Sequence, residues 1–188
     1  MNNLLKKSVK KYLETQDFLY EIQKLSNEIR VLSKKAITFF CKENIKEGES
    51  MIKNAEEQFK LINKIIKQNK DLLSQNFYKE AAEEYIEAVT FYNFLTRSKK
   101  EIPDFLKVEP EEVISGICDF TGELVRRAVT IASPRNFKEI IFYRETVENV
   151  INEIAKVGFQ GKLRQKYNEA QRNLSKLEDI IYDIKLKI

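Results

Sequence analysis

Leu163, Tyr167, Ala170, Leu174, Leu177, Ile181, Ile184 and Ile188 recur with strict alternation of four and three residues. That spacing lines one side of an α-helix and is incompatible with a strand, whose faces alternate with a period of two. The same rhythm runs through Ile22, Leu25, Ile29, Leu32, Ala36 and Phe39, and again through Ile52, Ala55, Phe59, Ile62 and Ile66. Five Gly and three Pro in 188 residues leave few places for the chain to break. Helices with one apolar stripe must bury it against other helices. The expected fold is therefore all-α: an elongated antiparallel bundle of about six to seven helices, with residues 1–188 forming a single domain.

The punctuation predicts where the helices end. A first helix is expected over about 3–45 and a second over about 49–70, separated near Gly48. A third, over about 75–97, is apolar almost all round and is expected to be buried against several neighbours. Pro103 excludes a continuous helix through 98–109. Pro110 suits the first position of a fourth helix reaching about Ala132, with Glu111 and Glu112 at its positive end. Ser133-Pro134 reads as the cap and first turn of a fifth, ended by Gly158-Phe-Gln-Gly161. The sixth, over about 162–187, carries the stripe first described. Helices about 40 and 25 residues long span roughly 60 and 38 Å at about 1.5 Å per residue. A small monomer covers such lengths poorly, so an oligomer is expected.

The chain contains no histidine. That removes Ser-His and Cys-His nucleophile systems, histidine-based zinc enzymes and the Glu-x-x-His ligands of di-iron bundles. Neither a Gly-x-Gly-x-x-Gly nor a Walker-type loop is present. Two cysteines, Cys41 and Cys118, suffice neither for a disulfide framework nor for a four-thiolate zinc site. The first residues lack a signal-peptide apolar core, and no apolar run of 18 residues exists, so a cytoplasmic protein with no membrane span is expected. Any catalysis must rest on carboxylates, lysines or tyrosines, most plainly on carboxylates with a hard cation.

Four acids stand out. Glu84-x-x-Glu87 lies on the expected third helix and Asp119-x-x-x-Glu123 on the fourth, each pair spaced near one helical turn. Glu84 has Phe77, Ala81, Ala88 and Phe91 as its helical neighbours, and a carboxylate in such a stripe must be neutralised, paired or bound to a cation. So placed, and without metal, it is expected to hold its proton above the usual carboxylate range. Asp119 and Glu123 share a wheel face with Arg126 and with Ser115, Gly116 and Gly122, small residues that let a backbone or ligand approach. Facing each other, the two pairs would make an oxygen-lined pocket suited to Mg²⁺ or Mn²⁺. The plainer alternative is chance spacing on charged helices, with Arg126 and Arg127 forming local ion pairs. Charge is unevenly spread: residues 1–47 carry ten Lys/Arg against six Asp/Glu, 158–188 carry seven against four, and the middle carries sixteen against nineteen. Basic ends around an acidic centre suit a phosphate-rich ligand.

Glu84-Tyr-Ile-Glu87-Ala-Val-Thr-Phe91 and Asp119-Phe-Thr-Gly-Glu123-Leu-Val-Arg126 resemble stretches of the translin family, most closely the archaeal homologues of translin and translin-associated factor X. Leu163-Arg-Gln-Lys166-Tyr167-Asn and Lys176-Leu-Glu-Asp-Ile-Ile-Tyr182-Asp-Ile184 are similar to translin's C-terminal segments, and the resemblance covers nearly the whole chain. It implies an all-helical fold assembled as a closed shell, octamer-like, that binds single-stranded RNA or DNA. The factor X branch is a Mg²⁺-dependent endoribonuclease, and by resemblance Glu84, Glu87, Asp119 and Glu123 are its catalytic, metal-binding acids. Against that resemblance, the chain is expected to differ from eukaryotic members in the longer insertion between the third and fourth helices and in their C-terminal tail. A homo-oligomer or a hetero-oligomer with a translin-like chain both remain open.

The expected function is thus a Mg²⁺-dependent (or Mn²⁺-dependent) endoribonuclease acting on single-stranded or flexible RNA. Lys34, Lys35, Arg126, Arg127, Lys162, Arg164 and Lys166 are candidates for phosphate contacts. The alternative is a non-catalytic shell that binds single-stranded RNA or DNA, with aromatic side chains for base stacking. A metal-dependent nucleotide pyrophosphohydrolase, which also pairs Glu-x-x-Glu with a later acidic pair, matches the C-terminal half poorly.

Overall fold

The computed structural model describes residues 2–67 and 75–186. Six α-helices follow one another: α1 (Asn2–Cys41), α2 (Ile45–Ile66), α3 (Asn76–Thr96), α4 (Pro110–Ile131), α5 (Phe137–Ile154) and α6 (Gly161–Lys185). They form an antiparallel all-α bundle, and α3 and α4 lie against each other at its centre. On one side α1 packs along both α2 and α3; on the other, α6 packs along α4 and α5. Two central helices that carry the two acid pairs are thus flanked by α1 and α6, the carriers of several of the lysines.

The α2 stripe behaves as its spacing predicts: Ile52, Ala55, Phe59, Ile62 and Ile66 are all buried. In α1 Ile22, Leu25, Ser26, Ile29, Ser33, Ala36, Ile37 and Phe40 are buried, so the expected stripe holds at Ile22, Leu25, Ile29 and Ala36, while Leu32 and Phe39 are only half-buried. The contact face drifts because an α-helix turns every 3.6 residues and a strict 3.5-residue seam holds only under supercoiling. Along α6, Ala170, Asn173, Leu177 and Ile184 are buried, whereas Leu163, Tyr167, Leu174 and Ile181 are half-exposed. Ile188 and the expected end of the second helix at 68–70 lie outside the described residues.

The break between the first two helices is a correction. It falls at Lys42–Asn44, where Glu43 takes a left-handed backbone (φ 61°), and Gly48 lies inside α2. Gly48 is buried because the Phe40 ring occupies the space of its missing side chain; a Cβ there would stand 2.1 Å from a ring carbon. The glycine serves close packing, not chain reversal. Pro110 does open α4, and the Glu112 carboxylate accepts the Glu109 N–H at 2.7 Å. Ser133 is extended but makes no side-chain cap; a 3-10 turn, Pro134–Asn136, precedes α5.

Aromatic rings tie the layers together. Phe40 of α1 meets Phe91 edge-on at 6.0 Å, Phe91 and Phe94 both meet Phe120 of α4, and Phe94 stacks on Phe142 of α5 at 5.4 Å. Edge-to-face and offset pairs of this kind add roughly 0.5–1.5 kcal/mol each beyond the area they bury. Most of the aromatic content is spent on this core. The N-terminal part of α1 differs: Leu5, Val9, Tyr12, Leu13 and Tyr20 are exposed apolar side chains.

Candidate functional site

From Ala81 to Phe91 every α3 residue except Glu84 and Thr90 is buried or nearly so. The helix sits that deep because α4 approaches it at a glycine. A Cβ on Gly116 would stand 2.6 Å from the Glu83 carbonyl oxygen and 2.9 Å from Ile86. Alanine at 116 is therefore expected to push α4 off α3 and to cost about 1–3 kcal/mol from overpacking, more than the ~1 kcal/mol of helix propensity it gains. A lower melting temperature for Gly116→Ala, against no loss for Gly122→Ala, is the check; a Cβ at 122 meets only Asn173 Nδ2 at 3.6 Å.

This close packing brings the two acid pairs to one cavity of about 700 Å³. Glu84 and Glu87 from α3, and Asp119, Gly122 and Glu123 from α4, line it together with Lys34, Arg126, Lys166 and Asn173. Three of the four acids already hold a cation. Lys34 Nζ lies 2.9 Å from Glu84, Arg126 3.3 Å from Glu123, and Lys166 Nζ sits 2.5 and 2.6 Å from the two oxygens of Asp119. The Cys41 thiol also donates to Glu123, at 3.5 Å. Burial and the Glu123 charge push that thiol up to about 11, which keeps it a donor.

Glu87 is the acid without a cation: among the described residues no lysine or arginine pairs with it. It is 9% exposed. Burial, then the charges of Asp119, Glu84 and Glu123, push its carboxyl up to about 9. The sequence points to Glu84 as the acid sunk in apolar surroundings; the structure gives that place to Glu87. The Glu84 side chain keeps 20% of its surface and reaches Lys34 at the rim. The reason is the drift of a helical stripe: Phe77 and Phe91 flank Glu84 on the wheel, but α4 covers the Glu83/Glu87 side.

Asp119 is also raised, by burial opposed by Lys166. Beneath it, Asn173 of α6 donates to Thr121 at 3.0 Å, and Thr121 donates to the Cys118 carbonyl, which fixes α6 against α4.

Of the seven basic candidates, Lys34, Arg126 and Lys166 reach the acid cavity. The other four do not. Lys162 pairs with both oxygens of Glu83 at 2.6 and 2.8 Å, on the neighbouring acid-lined hollow. Arg127 turns away, donating to Tyr143 and reaching Glu43 and Glu139. Arg164 lies over the Tyr167 ring, 5.6 Å from its centre, and Lys35 lines a groove between α1 and α2. On a helix, neighbours in sequence diverge by about 100°, so only one of Lys34/Lys35 and one of Arg126/Arg127 can face a given pocket.

Sequence reasoning missed Glu83 and Asn173. Glu83 is buried, accepts from Ser115 at 3.0 Å and holds Lys162; its four-residue spacing to Glu87 was the available signal. Asn173 interrupts the α6 stripe between Ala170 and Leu177, and a polar side chain in such a line needs a partner.

The translin family model matches residues 17–188. The chain belongs to the translin family. It is 29% identical over 196 aligned positions to a translin-associated protein X homolog of Schizosaccharomyces pombe, covering 93% of this chain and 84% of that relative. The solved structure of AfC3PO superposes with a TM-score of 0.85 at 24% identity, covering 97% of each chain. A complex of AfC3PO with duplex RNA gives 0.84 at 23% identity over 97% of each chain, and apo-NeC3PO gives 0.83 at 20% over 95%. At these identities the solved structures establish a common translin fold.

The donor set suits a hard divalent ion: four carboxylates from two rigid helices, one of them buried and unpaired. Among the described residues no three acid or thiol side chains stand in a ready-made ligand arrangement. Their lysine and arginine partners hold three of them, so a metal would have to compete with those cations.

Proposed function

We propose that this translin-family chain is a divalent-cation-dependent endoribonuclease acting on single-stranded or flexible RNA within a multi-subunit helical shell. The observation that carries this reading is the convergence of four acids on one cavity around a buried carboxyl, that of Glu87, which pairs with no lysine or arginine among the described residues. Packing alone gives no reason to bury Glu87 among three other acids, and its high proton affinity shows how poorly the protein itself meets that charge.

Glu84, Glu87, Asp119 and Glu123 would hold the ion, Mg²⁺ or Mn²⁺. Such an ion polarises a phosphate and lowers the pKa of bound water. The protein's part is to hold the acids on two helices locked at Gly116 and to supply Lys34, Arg126 and Lys166 beside them, where they would meet phosphate oxygens. Glu87 must give up its proton for the site to load. The RNA-binding part of this reading is supported by AfC3PO, a protein of the same fold solved in complex with duplex RNA, and the family placement by the X-homolog relative. Assembly is supported by the exposed apolar residues along the first half of α1, a stripe that a second subunit would cover.

Labelled single-stranded RNA should be cut in the presence of Mg²⁺ and remain intact when a chelator is added. Cleavage that persists in chelator would refute a metal site. One observation favours a second reading, the non-catalytic shell: Lys34, Arg126 and Lys166 already satisfy three of the acids without any metal. RNA binding that is indifferent to chelator, with no products under any divalent ion, would select it.

A further inference from the structure

Lys166 differs from the other cations of the cavity, and its position has a consequence for how the site fills. Its ammonium lies within 2.6 Å of both Asp119 oxygens, so an ion that takes the same side of the Asp119 carboxylate must displace it. Lys34 is held loosely by comparison. Its side chain is 60% exposed, and it can leave Glu84 for water at little cost. Lys166 is only 23% exposed, and a partly buried ammonium needs a new anion when it moves.

Glu84, Glu87 and Glu123 of the same cavity are ion ligands in this reading, and beyond them the protein offers it few. Glu83 already holds Lys162 on both oxygens and accepts from Ser115. Glu169, three residues along α6, lies at the exposed edge of the cavity. The helix itself cannot swing away, because Ala170, Asn173 and Leu177 are buried and Asn173 is bonded to α4. The Lys166 side chain is the part that can turn, and the open space beside it is the cavity it already lines.

We propose that Lys166 is an exchangeable counter-cation that couples metal loading to RNA binding: it holds Asp119 in the metal-free protein and transfers to the RNA phosphate when a divalent ion takes Asp119. The inference rests on the nuclease reading of the same cavity. Each ligand then removes the obstacle to the other, since the ion frees the lysine and the phosphate receives it. Linkage makes the effect reciprocal, so RNA tightens metal and metal tightens RNA by one factor. Lys166 is a positioning residue for the ion and a contact for the substrate.

Calorimetric Mn²⁺ titration of the assembled full-length protein tests it, with and without a single-stranded phosphorothioate RNA. Wild type should bind Mn²⁺ weakly alone and about tenfold more tightly with RNA. Lys166→Met, which keeps the aliphatic stem, should bind Mn²⁺ about tenfold more tightly without RNA and gain little from adding it. Lys166→Arg should retain weak binding and RNA enhancement, and Lys166→Gln stands in if the methionine variant fails to assemble. Mn²⁺ affinity in Lys166→Met that equals or falls below wild type would overturn the coupling alone. Wild-type Mn²⁺ binding that is unaltered by Glu87→Gln and by Asp119→Asn would instead remove the metal site, and the function built on it.

Discussion

Glu84→Ala and Asp119→Asn are each expected to lower RNA cleavage by about a thousandfold or more, while RNA binding and assembly survive. Losing one of few charged ligands removes several kcal/mol of transition-state stabilisation, and about 1.4 kcal/mol corresponds to each tenfold in rate. Neither substitution disturbs the core. Glu84 sits at the rim, opposite an exposed Lys34. Asn at 119 keeps the shape of the side chain, although it leaves Lys166 without its carboxylate. Single-turnover cleavage and a binding assay on the same preparations separate the effects. Undiminished cleavage in both variants would dismiss these acids from the chemistry, and loss of binding together with cleavage would make them structural.

Glu87 carries the second large effect. Its carboxyl has an ordinary pKa of 4.5 in the unfolded chain and is pushed up to about 9 in the fold, mainly by burial. Between those values the folded protein binds a proton that the unfolded chain has released. Stability is therefore fully present below about pH 4.5 and is lost as pH rises towards 9, by about 1.4 kcal/mol per unit for one proton. Asp119, also raised, contributes with the same sign. Both thiols keep their protons throughout this window, being raised to about 11. Glu87→Gln, neutral and of similar shape, should flatten the slope in chelator and raise stability at pH 8 to 9. Denaturant titrations at several pH values provide the measurement. Equal slopes in wild type and variant would show that Glu87 ionises freely in the fold. Divalent metal should reverse the wild-type trend, stabilising more as pH rises, because binding competes with the proton.

Much of this was visible in the residues. The α2 stripe reads directly from Ile52 to Ile66 because one helix face meets one partner groove, and periodicity reports that. Pro110 marks the start of α4 because a proline at the first position loses nothing there. Gly48 misled for a physical reason: glycine permits both chain reversal and close packing, and only the Phe40 ring shows which is in use. The acid pairs were legible as pairs, since one-turn spacing is local. Their relative depth was not, because Glu84 and Glu87 differ in burial only through where α4 crosses α3.

The sequence by itself determined that this chain makes long helices, that histidine chemistry is unavailable, and that two acid pairs lie on adjacent elements of a translin-family chain. These are properties of composition and of spacing along one helix. Tertiary structure alone decided that Glu87 is the buried acid, that Lys166 and not Lys162 or Arg164 holds Asp119, and that Arg127 faces away. Each depends on the crossing of helices at Gly116 and Asn173, contacts between residues tens of positions apart that no local pattern encodes.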